Sequence, residues 1–264
     1  MRQAALTATV WRRFESSKVP EITFSFWSVK VLTTAMGEAT SDYFVHRFNP
    51  EAAVLVVGFV FAAALVWQLR APRYRTLTYW WAVVMVSVFG TMCADVVHVG
   101  FAVPYLVSSV GFALALGVIF VSWHRSEGTL SIHSIINSRR ELFYWATVTA
   151  TFALGTAVGD MSAITLHLGY FGSGLLFGAF ITLPALGYRI FNLNAIGTFW
   201  TAYVLTRPLG ASFADWFGVS HLRGGLNWGP GNVAIGFSCL IIVGVATMAL
   251  RERPSGAGKP PGRH

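Results

Sequence analysis

Four aspartates in this sequence, Asp42, Asp95, Asp160 and Asp215, each stand fifteen residues after a tryptophan, namely Trp27, Trp80, Trp145 and Trp200. All four lie in or at the end of long apolar runs. Carboxylates are hard oxygen donors, suited to Mg²⁺, Mn²⁺, Ca²⁺ or protons rather than to soft Cu⁺. A fifth acid, Glu38, lies one helical turn deeper in its run, Arg207 two turns deeper, and Lys30 nearer the opposite end. A charge in such a setting costs roughly 3 kcal/mol or more unless it is paired or hydrated, so each of them needs a partner or water. Glu38 and Arg207 are the natural pair, because the arginine's long side chain can span the one turn between their levels.

The spacing continues on either side of the aspartates. An aromatic residue precedes each Trp (Phe26, Tyr79, Tyr144, Phe199), and a glycine follows it by ten residues: Gly37, Gly90, Gly155 and Gly210. Fourteen residues after each Trp comes a small residue, Ser41, Ala94, Gly159 or Ala214. On a helix, positions ten and fourteen share a face and form a small-xxx-small seam that lets backbones approach closely. Gly244 lies outside that seam and is expected to tolerate a larger side chain. Positions seven, eleven and fifteen form an adjacent stripe, read in the four copies as Thr34/Glu38/Asp42, Ser87/Thr91/Asp95, Phe152/Thr156/Asp160 and Arg207/Ala211/Asp215. The expected ion pathway therefore comprises Glu38, Arg207, the four aspartates, Thr34, Thr91, Thr156 and Lys30. Within it Glu38, Asp42, Asp95, Asp160 and Asp215 are the candidate metal donors.

Each of these residues has a plainer reading. The aspartates could cap helices at a membrane interface instead of converging on one vestibule. The Glu38–Arg207 pair could be a static buried ion pair. Lys30 could snorkel to the interface. The four Trp residues read as interfacial anchors. His46, His98, His167 and His221 follow the aspartates at drifting offsets, which suits interfacial histidines better than metal ligands, although Asp42/His46 and Asp95/His98 could share a metal on one face. Pro208 should kink its helix beside Arg207. Enzyme chemistry is not expected: Ala157-Val158-Gly159-Asp160 lacks the first glycine of an intramembrane aspartyl protease motif, and no Tyr-Asp pair accompanies it.

The elements that position these residues follow from composition. The chain has 264 residues, 55% hydrophobic and 11% charged, too apolar for an ordinary soluble domain. The apolar residues fall into eight runs, about 22–44, 52–69, 77–97, 104–123, 142–163, 168–188, 195–217 and 229–250, each near the ~20 residues that span a bilayer. The expected fold is all-α: a polytopic membrane bundle of eight transmembrane helices. It is built as four tandem two-helix repeats of one topology around a pseudo-symmetry axis along the membrane normal. The parts are a tail 1–18, repeats 19–72, 73–126, 127–192 and 193–251, and a basic, disordered tail 252–264. The odd helices carry the chemistry; the even ones, punctuated by Gly58, Gly111, Gly174 and Gly231, serve as scaffold.

The net charge of +8 has an orientation. Arg2, Arg12, Arg13, Lys18, Arg70, Arg73, Arg75, Arg125, Arg139, Arg140, Arg189, Arg251, Arg253, Lys259 and Arg263 fall on one side, and only Arg47 and Arg223 on the other. This positive-inside pattern places both termini in the cytoplasm and accounts for the basicity without nucleic acid. Cys93 and Cys239 sit inside helices without CxxC spacing, so neither a disulfide framework nor a thiolate metal site is expected.

The sequence resembles a family of bacterial membrane proteins made of four tandem copies of the domain-of-unknown-function 347 repeat. The resemblance rests on Lys18-Val-Pro-Glu-Ile-Thr, on Phe26-Trp-Ser-Val-Lys30 with 33–38, on Gly128-Thr-Leu-Ser-Ile-His-Ser-Ile135 and on Thr206-Arg-Pro-Leu-Gly-Ala-Ser212. It covers about 18–250 and implies two transmembrane segments and a characteristic Trp per copy in a bacterial inner membrane. It implies no activity. From the residues themselves the expectation is a transporter or channel for a small cation, a divalent metal such as Mn²⁺ or protons. The alternative is a structural or sensory membrane module. No resident cofactor is expected, a divalent ion being cargo; the partners are the lipid bilayer and that cation.

Overall fold

The computed structural model describes residues 17–252. The tails 1–16 and 253–264, including the tail expected to be disordered, lie outside the described residues. Eight long helices account for most of the described chain: α1 Phe24–Arg47, α2 Pro50–Arg70, α3 Thr76–Asp95, α4 Tyr105–Glu127, α5 Ser138–Asp160, α6 Gly169–Phe191, α7 Ala195–Gly218 and α8 Pro230–Arg251. Short polar signals start and stop them. Thr23, Asn49, Asn137 and Asn194 accept from the first helical N–H groups of α1, α2, α5 and α7. Gly128 and Asn192 end α4 and α6 in the left-handed conformation. The helix α3 starts without a cap of its own; Glu252, at the end of α8, accepts from the Thr76 N–H (3.2 Å) and hydroxyl (2.5 Å).

Six of the helices are long and apolar enough to cross a membrane. The other two, α1 and α7, have 24 residues each and fall short in apolarity because they carry Lys30, Glu38, Asp42, Arg207 and Asp215. They stand inside the bundle, where the other helices cover Lys30, Glu38 and Arg207. The odd helices close a ring in the order α1, α3, α5, α7 and back to α1, each packing on its neighbours. The even helices lie outside: 67% of the apolar window of α5 is buried, against 22% for α2, α4 and α6. Exposed Leu55, Phe59, Leu114, Leu183 and Ile242 line the outer faces, as suits lipid contact.

Each even helix docks mainly on the odd helix of the next copy. α2 packs on α3, α4 on α5 and α6 on α7, and α8 returns to α1 and closes the circle. The sequence repeat is thus not the packing unit. Glycine positions on three even helices mark the contacts: a Cβ on Gly58 would meet Phe89, one on Gly174 Phe213 and one on Gly231 Tyr43. Gly111, expected to do the same, faces open space.

The seam between odd helices is set by the glycine ten residues after each Trp. A Cβ on Gly37 would lie 2.7 Å from the Ser87 hydroxyl, and one on Gly90 2.6 Å from the Cβ of Phe152. Gly155 would collide with Arg207, and Gly210 with Thr34. In all four cases the glycine of one helix receives the position-seven residue of the next. Gly244, expected to be tolerant, is also tight, since a Cβ there would lie 2.7 Å from Val29 where α8 packs on α1. Open space lies at Gly117 and Gly236. The helix α7 runs unbroken through Pro208, whose ring rests beside Gly155.

Candidate functional site: an axial column of charge

The ring places the polar stripes of the four odd helices on a common axis, in layers one turn apart. At one end lies an aromatic layer, Phe26, Tyr79, Tyr144 and Phe199, in which the Tyr79 and Tyr144 hydroxyls are 2.5 Å apart. Trp80 and Trp145 are 1% exposed and Trp200 5%, which corrects their reading as interfacial anchors; Trp27 is partly exposed. The reason is their mutual packing. The aromatic residue of each copy packs at a tilt on the Trp of the next, Phe26 on Trp80, Tyr79 on Trp145, Tyr144 on Trp200 and Phe199 on Trp27, and the Trp200 ring nitrogen donates to the Leu130 carbonyl at 2.9 Å.

The next layer holds Lys30. Its ammonium does not snorkel: the residue is 1% exposed, and Nζ lies 4.3 Å from the ring centre of Phe152 and 4.4 Å from that of Tyr203. It has no hydrogen-bond partner among the described residues. Arg207 shares the Phe152 ring, its guanidinium carbon 5.0 Å from the centre.

Arg207 is fully buried and ties the column together. Nη1 donates to the Thr34 carbonyl (2.7 Å). Nη2 donates to Glu38 (2.6 Å), to the Thr156 hydroxyl (2.8 Å) and to the Thr91 hydroxyl. One side chain of α7 therefore engages α1, α3 and α5, crossing the ring diagonal to reach Thr91. Two earlier features aim it there. Gly155 admits its stem between α5 and α7, and the Thr34 hydroxyl donates to the Thr206 carbonyl, fastening α1 to α7 beside it (3.1 Å). The expected Glu38–Arg207 pair is present, with both side chains at most 3% exposed.

The aspartates gather above this pair. Oxygens of Glu38, Asp160 and Asp215 all lie within 4.8 Å of one another. Asp95 is buried and accepts from the Ser41 hydroxyl; Asp42 and Asp160 are partly exposed. Three carboxylates from α1, α5 and α7 thus face one another, with Asp42 and Asp95 at the same level, while a single guanidinium neutralises Glu38. Among the described residues no Lys or Arg lies within ion-pair distance of the four aspartates. The donor set is all oxygen and its spread suits one hard cation bound by three or more carboxylates. At this level α3 and α5 both change pitch: immediately after Asp95 and Asp160 come π-helical turns, Val96–Gly100 and Met161–Thr165. Such turns recur at functional positions.

The histidines do not join the acids as same-face metal pairs. His46 is exposed and its Nδ1 lies 2.7 Å from the Asp42 carbonyl; His167 is exposed; His221 Nδ1 lies 2.8 Å from the Gly225 carbonyl. His98 is 2.6 Å from the Ser108 hydroxyl and stands 4.0 Å from Asp160, the aspartate of the next copy, rather than beside Asp95.

Sequence reading missed two polar groups. Lys18, expected in the cytoplasmic N-terminal tail, is buried: its Nζ lies 2.6 Å from Glu141 at the start of α5, and 3.0 Å from the Leu69 carbonyl at the end of α2. Gln68 donates to the second Glu141 oxygen (2.9 Å). Gln68, a lone amide in an apolar run, was the available signal. The other group is Arg223, which donates to the Tyr170 hydroxyl at the acidic end (2.5 Å). Away from the axis, a largely apolar cavity of about 930 Å³ opens between α1, α6, α7 and the loop before α5, and climbs to Val31 and Thr206.

Neither the curated proteins nor the solved structures compared with this chain gave a match. A family model described as Repeat of Unknown Function (DUF347) does match, at residues 25–74, 78–129, 143–191 and 198–254. These four segments correspond to α1–α2, α3–α4, α5–α6 and α7–α8, the copies whose inner helices build the axial column. The chain belongs to the DUF347 family, as four tandem copies of its repeat in a multi-pass membrane protein.

Proposed function

We propose that this protein moves a small cation, a divalent metal such as Mn²⁺ or protons, along the axis of the inner ring. The observation that carries the reading is the surplus of carboxylate at that axis: Glu38, Asp160 and Asp215 converge, Asp42 and Asp95 stand at the same level, and one buried guanidinium answers only Glu38. Four further carboxylates packed together inside a bundle require a cation, protons or water among them. They form the binding vestibule, and the Glu38–Arg207 pair closes the column beneath it. A cation held by Asp160 and Asp215 would compete with Arg207 for Glu38, so occupancy of the vestibule loosens the closure. The role of Thr91 and Thr156 is to keep Arg207 hydrogen-bonded during that exchange. Catalysis has no part in this reading.

The loop charges support an orientation in a bacterial inner membrane with both termini in the cytoplasm and the acidic end outside. Reporter fusions after Pro50, Gly100, Gly169 and Gly225 should all read as external.

One observation favours a second reading, a structural module. Arg207 touches every inner helix, as a staple would. The discriminating experiment is a screen of a deletion strain for sensitivity to, and cellular content of, Mn²⁺, Mg²⁺, Ca²⁺ and protons. It is followed by flux measurements on the purified protein in liposomes. Altered handling of one cation and flux in liposomes are the expected outcome. No change for any cation and no flux would leave the structural reading.

A further inference from the structure

Lys30 is the one charged group of the column that the ion pair and the acid vestibule leave unused. We infer that Lys30 is a proton-binding site coupled to the cation site, so that admission of a cation at the acids expels the Lys30 proton at the opposite end: the protein is a cation/proton exchanger. This rests on the proposed cation transport and adds its counter-ion.

Three features carry the inference. First, among the described residues the ammonium meets the faces of Phe152 and Tyr203, with no hydrogen-bond acceptor and no carboxylate. A structural lysine at such depth would be paired with an acid, as Lys18 is with Glu141 in the same molecule. Secondly, Lys30 and Arg207 share the Phe152 ring, so the two charges are neighbours and a change in the partner of Arg207 is felt by Lys30. Thirdly, only one of the two can change its charge: the guanidinium remains protonated in proteins, whereas a buried amine readily gains and loses its proton.

The groups around Lys30 are few. On α7 they are Tyr203 beside it and Arg207 towards the acids; on α3 and α5, the Tyr79–Tyr144 hydroxyl pair in the layers below. The outer helix α8, packed on the far side of α1, has no charged residue between Pro230 and Leu250. Glu38 lies two turns away, about 12 Å along the helix, with Arg207 between.

A cation enters the carboxylates and Glu38 turns to it from Arg207. The guanidinium, keeping its bonds to the Thr34 carbonyl and the Thr hydroxyls, loses its counter-charge, and its full positive charge bears on Lys30. The Lys30 N–H bond breaks, the electron pair stays on nitrogen, and the proton passes to water at the basic end. For counterflow the cation reaches the acids from the basic end and leaves at the acidic end, and the proton that restores Nζ arrives from the acidic end, so that one proton moves against each cation carried. Val31, the next residue on α1, lines the cavity that opens at that end.

The test uses the full-length protein in liposomes that enclose a pH dye, with Mn²⁺ as the probe cation. Wild type should carry Mn²⁺ with protons moving in the opposite direction, and a proton gradient alone should drive uptake. Lys30→Met and Lys30→Arg should both lose gradient-driven uptake and the dye signal. Arginine keeps the charge and the ring contacts, so it separates loss of the exchangeable proton from loss of packing. Proton counterflow of wild-type size in Lys30→Arg would overturn the inference and leave cation transport standing. Wild-type protein that carries no Mn²⁺, Mg²⁺ or Ca²⁺ and no protons would overturn the underlying reading instead.

Discussion

Arg207 Nη2 lies 2.6 Å from Glu38 Oε2, joining the first copy of the repeat to the fourth across 169 positions of sequence. The pair forms because α7 and α1 are neighbours only when the ring closes. It stands between an acid vestibule and an unpaired lysine, where its breaking would couple the two.

The pair can be tested by its two kinds of failure. Glu38→Gln keeps the shape and an amide oxygen for Nη2, and the four aspartates remain above it. It should reach the membrane at wild-type level and carry no cation. Arg207→Gln should let the acids hold a cation longer, seen as tighter binding with slower release. If the pair is only structural, removing one partner costs roughly 3–5 kcal/mol. Both single variants would then fail to accumulate and the double variant would recover, as read by membrane blotting and thermal unfolding in detergent.

The glycine seam predicts a position-specific cost of bulk. Gly155→Leu and Gly210→Leu would drive a side chain into Arg207 and Thr34 and should lower stability by ~1–3 kcal/mol or prevent assembly. Gly236→Leu, with open space around it, is the comparison and should be neutral. Equal melting temperatures for the two classes would remove the seam from the account.

The Lys18–Glu141–Gln68 group ties the segment before α1 to the end of α2 and the start of α5. Glu141→Gln leaves the Lys18 ammonium buried without its counter-charge and should cost roughly 3–5 kcal/mol. Lys18→Met combined with Glu141→Leu should recover most of it. A single variant as stable as wild type would mean that Lys18 escapes to water.

The docking of each even helix on the following copy predicts a cross-linking pattern. In a background lacking Cys93 and Cys239, cysteines at Gly231 and Tyr43 should be joined by a short bifunctional reagent, linking α8 to α1. A cysteine pair at Gly174 and Phe213 should likewise link α6 to α7. A two-helix repeat folded as its own unit would give neither product.

The inner helices and their chemistry were legible in the sequence for a simple reason. A side chain at a fixed offset from the Trp has a fixed height and direction on its helix, so four equal offsets give four equal levels. That rule gave the glycine seam, the acidic layer and the single-turn step between Glu38 and Arg207. It could not give contacts between helices, which depend on through-space partners. The offset rule is silent on whether α2 covers α1 or α3, and on whether a Trp at a helix end meets lipid or three other aromatic pairs. Lys30 and Lys18 were misjudged in the same way, because burial of a long cationic side chain depends on what closes over it. The alternation of apolar spans and basic loops determined a membrane bundle of four copies. Only the closure of the ring, in which each glycine admits the position-seven side chain of the next helix, turned Thr34, Ser87, Phe152 and Arg207 into one layer. It thereby set a fixed charge on the axis between five acids and a lysine.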